Sequence, residues 1–260
     1  MKFGICNLGI VPCRAEPSDK SEMVTQLLFG EHFQVISEHK SWSEISIAFD
    51  NYKAWIDNKQ FLPISEDTYN ELNEIPPALT FDLVQVVLNT QSGAITPVVI
   101  GSSLPLFNGE SCNLQGYEYA YEGQHIRPSQ LTGRLKLIEI AYTYLNSPYL
   151  WGGRTPFGID CSGFTQICYK LSGFSIPRDA FQQAEMGETL SFVEESQQGD
   201  LAFFDNADGK IVHVGIVLNN NQIIHASGRV RIDKFDHYGI YNTESGSYSH
   251  NLRLLKRLIE

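Results

Sequence analysis

The sequence predicts two all-β segments followed by an α+β domain of about 130 residues. Short strand-like runs separated by Gly, Pro, Asp and Asn occupy residues 1–62. An acidic, proline-bounded connection leads into a second β-rich stretch within residues 63–130. In residues 131–260, helix-like patterns come first and strand-like runs follow. This change of pattern places the domain boundary at residues 130 and 131.

Composition and charge exclude several classes of protein. The 260 residues are 42% hydrophobic and 19% charged, which is typical of a globular chain and excludes extensive disorder. The net charge is -11 and the pI is near 5.1. Nucleic acids and anionic membranes are bound mainly through Lys and Arg, so neither is an expected partner. A site for an anionic ligand would need local arginines.

Cysteine usage indicates a reducing compartment. The five cysteines are an odd number and contain no CxxC pair, which favours free thiols over a disulfide framework or a zinc ribbon. The opening "MKFGICNLGIVPCRAEPSDK" lacks the apolar core of a signal peptide. We therefore expect a cytoplasmic protein, with a trimmed secreted protein as the alternative. The sequence does not indicate an oligomeric state.

The first β segment has the pattern of a small barrel. Its runs are "FGICNLGIVPCR", "MVTQLLFGE", "HFQVISEHK", "WSEISIAFD" and "YKAWID". The connection "PISEDTYNELNEIP" predicts about one helical turn. The second β stretch contains "FDLVQVVLN", "ITPVVIGSSLPLFN" and "YEYAYEGQHI", separated by Ser-Gly and Asn-Gly turn signals.

The C-terminal part opens with helices. A helix beginning near Leu131 is predicted to end before Pro148. Its apolar face comprises Leu135, Ile138, Ala141 or Tyr142, and Leu145. In "PRDAFQQAEMGETL", Asp179 and Gln182 form a potential capping box, and Gly187 is the predicted stop. The runs "GDLAFFD", "KIVHVGIVLN", "QIIHASG" and "HNLRLLKRLIE" then predict an antiparallel sheet.

The stretch "GIDCSGFTQICYKL" predicts an amphipathic helix that begins at Cys161. Apolar residues recur on one face at Phe164, Ile167, Cys168 and Leu171, and a glycine-rich turn precedes them. A helix N-terminus favours an anion, so we expect a lowered thiol pKa and a nucleophilic Cys161. The alternative is a small buried apolar residue, which is the usual role of a free cysteine.

Two histidines in apolar strands complete a candidate constellation. His213 lies in "IVHVGIVL" and His225 in "IIHASG". Singly, each is better explained as a core residue, but together with Cys161 they suggest a nucleophile, a base and a residue that orients the base. A zinc site of His213, His225 and His237 is the competing use. We predict no metal or other cofactor, because HExxH, CxxC and nucleotide-loop motifs are absent.

These residues resemble a known family. "SPYLWGGRTPFGIDCSGFTQ", "IPRDAFQQ", "QQGDLAFF", "HVGIVL" and "IIHASG" are similar, in order, to the catalytic domain of NlpC-type bacterial cell-wall cysteine peptidases, which has a permuted papain-like fold. The segments "VPCRAEPSDKSEMVTQLLFGE" and "WSEISIAFDNYKAWID" resemble a bacterial SH3-like barrel. The resemblance implies one or two SH3-like barrels ahead of the catalytic domain.

The resemblance implies a γ-D-glutamyl-L-diamino acid endopeptidase acting on peptidoglycan stem peptides. Cys161 would be the nucleophile, His213 the general base and His225 its orienting residue. The Cys161 backbone N–H and Tyr149 would stabilise the oxyanion. Relatives with this domain order include enzymes that require a free L-Ala amine. The expected substrate-binding residues are Asp160, Ser162, Asp179, Glu22 and Tyr52. The sequence departs from the family pattern at Ala180, where a serine is expected.

Charge balance adds further candidates for the substrate pocket. The ammonium group would need Asp160, Asp179 or Glu22, and the glutamyl carboxylate would need Arg178 or Ser162. Trp151 is a candidate pocket wall. The alternatives are helix capping for the two aspartates, a solvated surface charge for Glu22, a structural ion pair for Arg178 and core packing for Trp151.

Three other functions stay open on the sequence alone. They are a secreted hydrolase acting on intact cell wall, a non-catalytic module that binds wall peptides, and acyl transfer or amide hydrolysis on another substrate.

Overall fold

A computed structural model describes residues 1–128 and 133–259. The chain separates into two compact units, residues 1–130 and 131–260. The predicted boundary between residues 130 and 131 falls outside the described residues, as does the predicted start of the helix at Leu131.

The N-terminal unit begins with a seven-stranded sheet in the order β3-β2-β6-β5-β4-β1-β7. Its strands are β1 (Lys2–Ile5), β2 (Ile10–Arg14), β3 (Met23–Leu28), β4 (His32–His39), β5 (Trp42–Ile47), β6 (Lys53–Asp57) and β7 (Leu62–Ile64). The pairings are antiparallel. The first predicted run is divided into β1 and β2. Val11, Phe33 and Ile45 are among the apolar side chains buried in its core.

A helix joins this sheet to the second β-rich stretch. The helix α1 (Glu66–Glu74) is longer than the single turn predicted, and the Ser65 side chain caps it by accepting from the Thr68 N–H. A four-stranded and a three-stranded sheet follow, in the orders β10-β9-β13-β12 and β11-β8-β14. Their strands are β8 (Ala78–Thr80), β9 (Val84–Asn89), β10 (Ile95–Val99), β11 (Ser103–Leu104), β12 (Ser111–Leu114), β13 (Tyr117–Ala120) and β14 (His125–Ile126). One buried cluster contains side chains from both β regions, including Phe29 and Val87.

The C-terminal unit combines helices with a seven-stranded antiparallel sheet in the order β17-β23-β18-β19-β20-β21-β22. Its helices are α2 (Arg134–Thr143), α3 (Cys161–Leu171) and α4 (Ala180–Gln183), with a 3₁₀ turn at Val193–Glu195. Its strands are β15 (Arg154–Thr155), β16 (Gly158–Ile159), β17 (Glu188–Leu190), β18 (Leu201–Asp205), β19 (Ile211–Leu218), β20 (Gln222–Ser227), β21 (Arg229–Asp236), β22 (Gly239–Asn242) and β23 (Ser247–Arg257). Strand β22 also pairs with β23, which closes the sheet into a ring.

Helix α3 lies between α2 and strands β19 and β20. Every residue of α3 is buried. The helix begins at Cys161 as predicted, and protein covers its polar face as well as its apolar face. None of the helices in residues 1–128 and 133–259 is long and apolar enough to span a membrane.

Two other helix predictions differ from the structure. Helix α2 buries Leu137, Ile140 and Ala141, whereas Leu135 is 76% exposed. The buried face of α2 is therefore rotated about the helix axis relative to the predicted face, which included Leu135. Helix α4 ends at Gln183 rather than near Gly187. Gly187 has a φ of +67° just before β17, so its backbone serves the turn into that strand.

A buried carboxylate ties α2 to the sheet. Asp200 is fully buried and lies 2.7 Å from Nη1 of Arg134, the first residue of α2. It also lies 2.8 Å from Nη2 of Arg257, the last residue of β23. Because both arginines pair with this one buried carboxylate, its removal would leave each of them without its ion-pair partner.

We expect Asp200→Asn to destabilise the C-terminal unit by about 3 kcal/mol, since buried ion pairs that lose one partner become unfavourable. Calorimetry should then record a fall of roughly 10–15 °C in the unfolding midpoint of this unit. Asp208→Asn removes the same charge from an exposed turn and is the matched control. Equal midpoints for the two variants would contradict the structural role of Asp200.

Candidate active site

Cys161 is the first residue of α3, and the residues around it explain why the helix begins there. Asp160 is the N-cap, and its Oδ1 accepts the Gly163 N–H at 2.7 Å. A side chain at residue 163 would place its Cβ 2.3 Å from the carbonyl oxygen of Gly153. Glycine at this position therefore allows the glycine-rich turn to pack directly against the start of α3.

Asp160 is also half of a buried ion pair. Its carboxylate accepts from Arg178 Nη1 at 3.0 Å and from Nη2 at 2.6 Å, and from the Gly152 N–H at 2.8 Å. Arg178 also donates to Ser162 Oγ at 2.9 Å. The structural ion pair considered for Arg178 is therefore present. Direct substrate contacts by Asp160, Ser162 and Arg178 stay predictions.

The thiol of Cys161 does not have the lowered pKa expected at a helix N-terminus. Burial, and to a smaller extent the charge of Asp160, raise the pKa of Cys161 to about 12. The backbone N–H groups of Val214 and Ser162 and the charge of Arg178 act in the opposite direction but are weaker. The expectation of a lowered thiol pKa is therefore wrong, because desolvation outweighs the backbone N–H groups and the charge of Arg178.

The interaction with the Val214 N–H places the sulfur against β19, next to His213. His213 Nε2 lies 2.8 Å from His225 Nδ1. Gly215, directly opposite His225, makes room for this contact, since a Cβ at residue 215 would lie 2.9 Å from the Cβ of His225. The structure thus brings the three predicted catalytic residues to the same part of the C-terminal unit.

A carboxylate extends this histidine pair. His225 Nε2 lies 3.0 Å from Asp233 Oδ2, and both residues are buried. Asp233 also pairs with Arg231, whose Nε lies 2.7 Å from Oδ2. Burial raises the pKa of the Asp233 carboxyl, but the hydrogen bonds from His225 and Arg231 outweigh it and leave the pKa below its usual range. Asp233 is therefore an ionised acceptor.

The ionised carboxylate determines the tautomers of both rings. Burial lowers the pKa of His213 and of His225, so both rings are neutral near pH 7. Since Asp233 only accepts, His225 carries its proton on Nε2 and accepts at Nδ1. His213 must then donate from Nε2, which leaves the lone pair on Nδ1. The hydrogen-bond network assigns Nδ1 of His213 as the proton acceptor of the site.

Sequence reasoning missed Asp233 and His250. Asp233 was missed because β21 was not predicted. A tight turn at residues 227–229 could have predicted this strand. A hairpin around that turn pairs residue 223 with residue 233, which places Asp233 diagonally beside His225. His250 lay at the start of a predicted strand but received no role. Its ring stacks on that of His213 with a centroid distance of 4.1 Å.

Tyr149 is half-buried and its backbone N–H donates to the Gly228 carbonyl at 3.0 Å. Burial raises the pKa of its hydroxyl, and the ionisable groups of Cys161 and Asp160 act in the same direction. The hydroxyl is therefore protonated and able to donate near these two residues. Its contact with an oxyanion stays a prediction.

The other residues of the predicted pocket differ in burial. Trp151 is 60% exposed, which excludes core packing. Asp179 is half-buried and is the N-cap of α4, where Gln182 Oε1 accepts its N–H at 3.3 Å in a capping box. Ala180, where the resemblance predicts a serine, is buried. The capping role considered for Asp179 is therefore present, and its contact with substrate stays a prediction.

Glu22 and Tyr52 lie at the same end of the barrel. Strands β3 and β6 are both antiparallel to β2 and therefore run in the same direction. Glu22 precedes β3 and is exposed, whereas Tyr52 precedes β6 and is half-buried. Their substrate contacts stay predictions.

The three histidines considered as zinc ligands from the sequence do not form one cluster, because His237 is not grouped with His213 and His225. His237 contacts Tyr238, with ring centroids 4.0 Å apart. The histidine that joins His213 and His225 is His250, and one ring nitrogen of each lies within 4.8 Å of the others.

Two family models match the chain. Residues 146–247 match the NlpC/P60 family, and residues 13–61 match the bacterial dipeptidyl-peptidase Sh3 domain. These matches confirm the predicted relationship and the predicted classes of fold.

Similar proteins extend over most of the chain. A gamma-D-glutamyl-L-lysine dipeptidyl-peptidase of Bacillus cereus is 27% identical over 80% of this chain and 68% of its own length. The Bacillus subtilis protein of the same name is 29% identical over 78% of this chain and 71% of its own. The crystal structure of an NlpC/P60 family protein from Bacillus cereus superposes with a TM-score of 0.84 at 20% identity and covers 99% of this chain and 100% of that one. At 20% sequence identity, this structural similarity shows a shared fold and nothing further.

We expect alkylation of Cys161 by iodoacetamide to accelerate about tenfold per pH unit from pH 7 to pH 10. Because burial raises the pKa of the thiol to about 12, the thiolate fraction keeps rising across this range. Peptide mapping by mass spectrometry would follow Cys161 alone, with free glutathione as the reference thiol. A rate that is already constant below pH 7 would instead reveal a resting thiolate and imidazolium pair.

We expect Asp233→Asn to lower the kcat for peptide hydrolysis about 10- to 100-fold while the KM changes little. The amide no longer fixes the tautomer of His225, so Nδ1 of His213 is less often the free acceptor. Asp236→Asn, on the same strand, is the matched control because Asp236 bonds Tyr248 at 2.6 Å instead of His225. A loss that appears only in KM, or equally in both variants, would exclude this role.

Proposed function

Because the chain carries an NlpC/P60 domain behind a bacterial SH3 domain, we propose that it is a cysteine peptidase that hydrolyses the γ-D-glutamyl to diamino-acid bond of peptidoglycan stem peptides. One observation carries the proposal: Cys161 begins a buried helix against β19, where a chain of hydrogen bonds runs from His213 through His225 to Asp233. The relatives named gamma-D-glutamyl-L-lysine dipeptidyl-peptidases support the choice of bond.

The proposed reaction is acyl transfer through the thiol. His213 Nδ1 accepts the thiol proton as the sulfur attacks the γ-carbonyl carbon. Because burial disfavours a free thiolate, this proton transfer accompanies the attack. The carbonyl oxygen gains negative charge, which the Cys161 backbone N–H and the Tyr149 hydroxyl stabilise. Cys161 thus supplies both the nucleophile and an oxyanion donor.

The histidine pair and its carboxylate serve the two proton transfers. The imidazolium formed on His213 is stabilised through His225 by the negative charge of Asp233. It donates its proton to the nitrogen of the departing diamino acid as the carbon–nitrogen bond breaks. A water molecule then gives a proton to His213 Nδ1 and attacks the thioester, and the returning proton restores the thiol.

Recognition of a free N-terminal L-Ala is the finer part of this proposal. An ammonium group needs an acidic partner, and Asp160 is already paired with Arg178. Asp179, at the start of α4, and Glu22, at one end of the barrel, are the acceptors that we propose. The shared position of Glu22 and Tyr52 at one end of the barrel supports their action as a pair.

Peptide recycling in the cytoplasm would use this specificity, because a free L-Ala amine appears after the peptide has been released from the glycan. All five cysteines are free and buried, which supports a reducing compartment. We therefore propose that the enzyme cleaves released, free-amine peptides in the cytoplasm.

We expect the protein to cleave L-Ala-γ-D-Glu-diaminopimelate and not its N-acetylated form, since acetylation removes the charge that the acidic residues would bind. Mass spectrometry of the products is the measurement, with Cys161→Ala as the inactive control. Equal cleavage of both peptides, or release of peptides from intact sacculi, would favour wall hydrolysis. Absence of cleavage would favour a different acyl substrate or a binding module.

Glu22→Gln should raise the KM for the free-amine peptide at least about tenfold, through loss of one charge-assisted hydrogen bond. Glu16→Gln changes another exposed carboxylate of the same unit and is the matched control. If both variants retain the original KM, Glu22 does not bind the amine.

A further inference from the structure

Three imidazoles meet on the face of the sheet that carries the candidate catalytic site. This three-histidine cluster consists of His213 on β19, His225 on β20 and His250 on β23, and one ring nitrogen of each lies within 4.8 Å of the others. The proposed peptidase reaction uses the first two rings and gives no function to the third.

His225 and His250 each use one ring nitrogen in a hydrogen bond to a residue outside the cluster. The second nitrogen of each ring is the one that could bind a cation. His225 is bound through Nε2 to Asp233, which leaves Nδ1. His250 is bound through Nδ1 to Ser249 Oγ at 2.8 Å, which leaves Nε2. Histidines that ligate metals commonly have their second nitrogen held in this way by a carboxylate or another polar group.

The spacing of the ligand atoms suits a small tetrahedral cation. Two nitrogens bound to Zn²⁺ at about 2.0–2.1 Å lie about 3.3 Å apart in a tetrahedral site. Here the separation of His213 Nε2 and His225 Nδ1 is 2.8 Å, and the cluster spans at most 4.8 Å. These distances bracket the tetrahedral spacing, so modest ring movements would complete a site.

We infer that the three-histidine cluster binds a divalent transition-metal cation of the Zn²⁺ type, and that the bound cation inhibits the peptidase. Imidazole nitrogens favour Zn²⁺, Cu²⁺ or Ni²⁺ over Mg²⁺ or Ca²⁺, which prefer oxygen ligands. A water molecule would complete a tetrahedral site.

Inhibition follows from the tautomers and rests on the proposed function. Ligation through His213 Nε2 displaces the proton from that nitrogen, and the neutral ring then carries it on Nδ1. Nδ1 is the atom that would accept the thiol proton. The cation therefore blocks the general base without occupying the place of the peptide.

Cobalt binding tests the site independently of peptidase activity. We would titrate Co²⁺ into the full-length Cys161→Ser variant, which retains the three histidines and lacks the thiol. We expect the visible absorption of tetrahedral Co²⁺ to saturate at one equivalent and to disappear when Zn²⁺ is added. Absence of this absorption would overturn the metal site, whatever the fate of the proposed substrate.

His250→Ala in the same background should weaken Co²⁺ binding at least about tenfold, because one of three ligands is lost. His237→Ala, which removes a histidine that contacts Tyr238 and lies outside the cluster, should leave the affinity unchanged. Circular dichroism would verify that both variants are folded, and His250→Gln provides a second variant if the alanine protein unfolds. Equal affinities for the His250 and His237 variants would overturn the assigned ligands.

The inhibitory effect is measured on the unmodified enzyme with the substrate that it cleaves. We expect Zn²⁺ to inhibit with the same midpoint at which it displaces Co²⁺, and a chelator to restore the full rate. If Zn²⁺ displaces Co²⁺ but leaves hydrolysis unchanged, the site binds metal and the inhibition is overturned.

Discussion

The candidate site depends on the buried carboxylate of Asp160. This single group accepts hydrogen bonds from the Gly152 N–H, from the Gly163 N–H and from two nitrogens of Arg178. It thereby joins the glycine-rich turn, the first turn of α3 and the segment that precedes α4. Because each of these contacts also satisfies a buried polar group, the position of Cys161 is determined by a network in which no member moves alone.

That network has an electrostatic consequence for the nucleophile. The helix N-terminus and Arg178 favour a thiolate, whereas burial and the Asp160 charge favour a thiol, and the second effect is larger. The resting site is therefore neutral at Cys161 and at His213. Negative charge then develops on the sulfur only when a carbonyl is in place to receive it. A neutral thiol also protects the nucleophile from alkylation and oxidation between turnovers.

Local patterns predicted the start of α3, the strand assignments of His213 and His225 and the general order of elements. They failed where tertiary packing decides the outcome. Leu135 fits a helical face by spacing but points to solvent, and the pKa of Cys161 depends on burial that spacing does not reveal. Asp233 was missed because its strand is rich in charge, and those charges are paired within β21 and with Glu244 in the turn after β22.

The same geometry explains why the hydrogen-bond chain is carried by strands and not by loops. In an antiparallel sheet, diagonal neighbours on one face lie about 7–8 Å apart, a distance that an imidazole ring can span to its partner. His213 and His225 are diagonal across β19 and β20, and His225 and Asp233 are diagonal across β20 and β21. On β19, Gly215 removes the side chain that would stand directly opposite His225. A shift of register by one residue would turn these groups to the opposite face, so the pairing that stabilises the sheet also maintains the order of proton transfer.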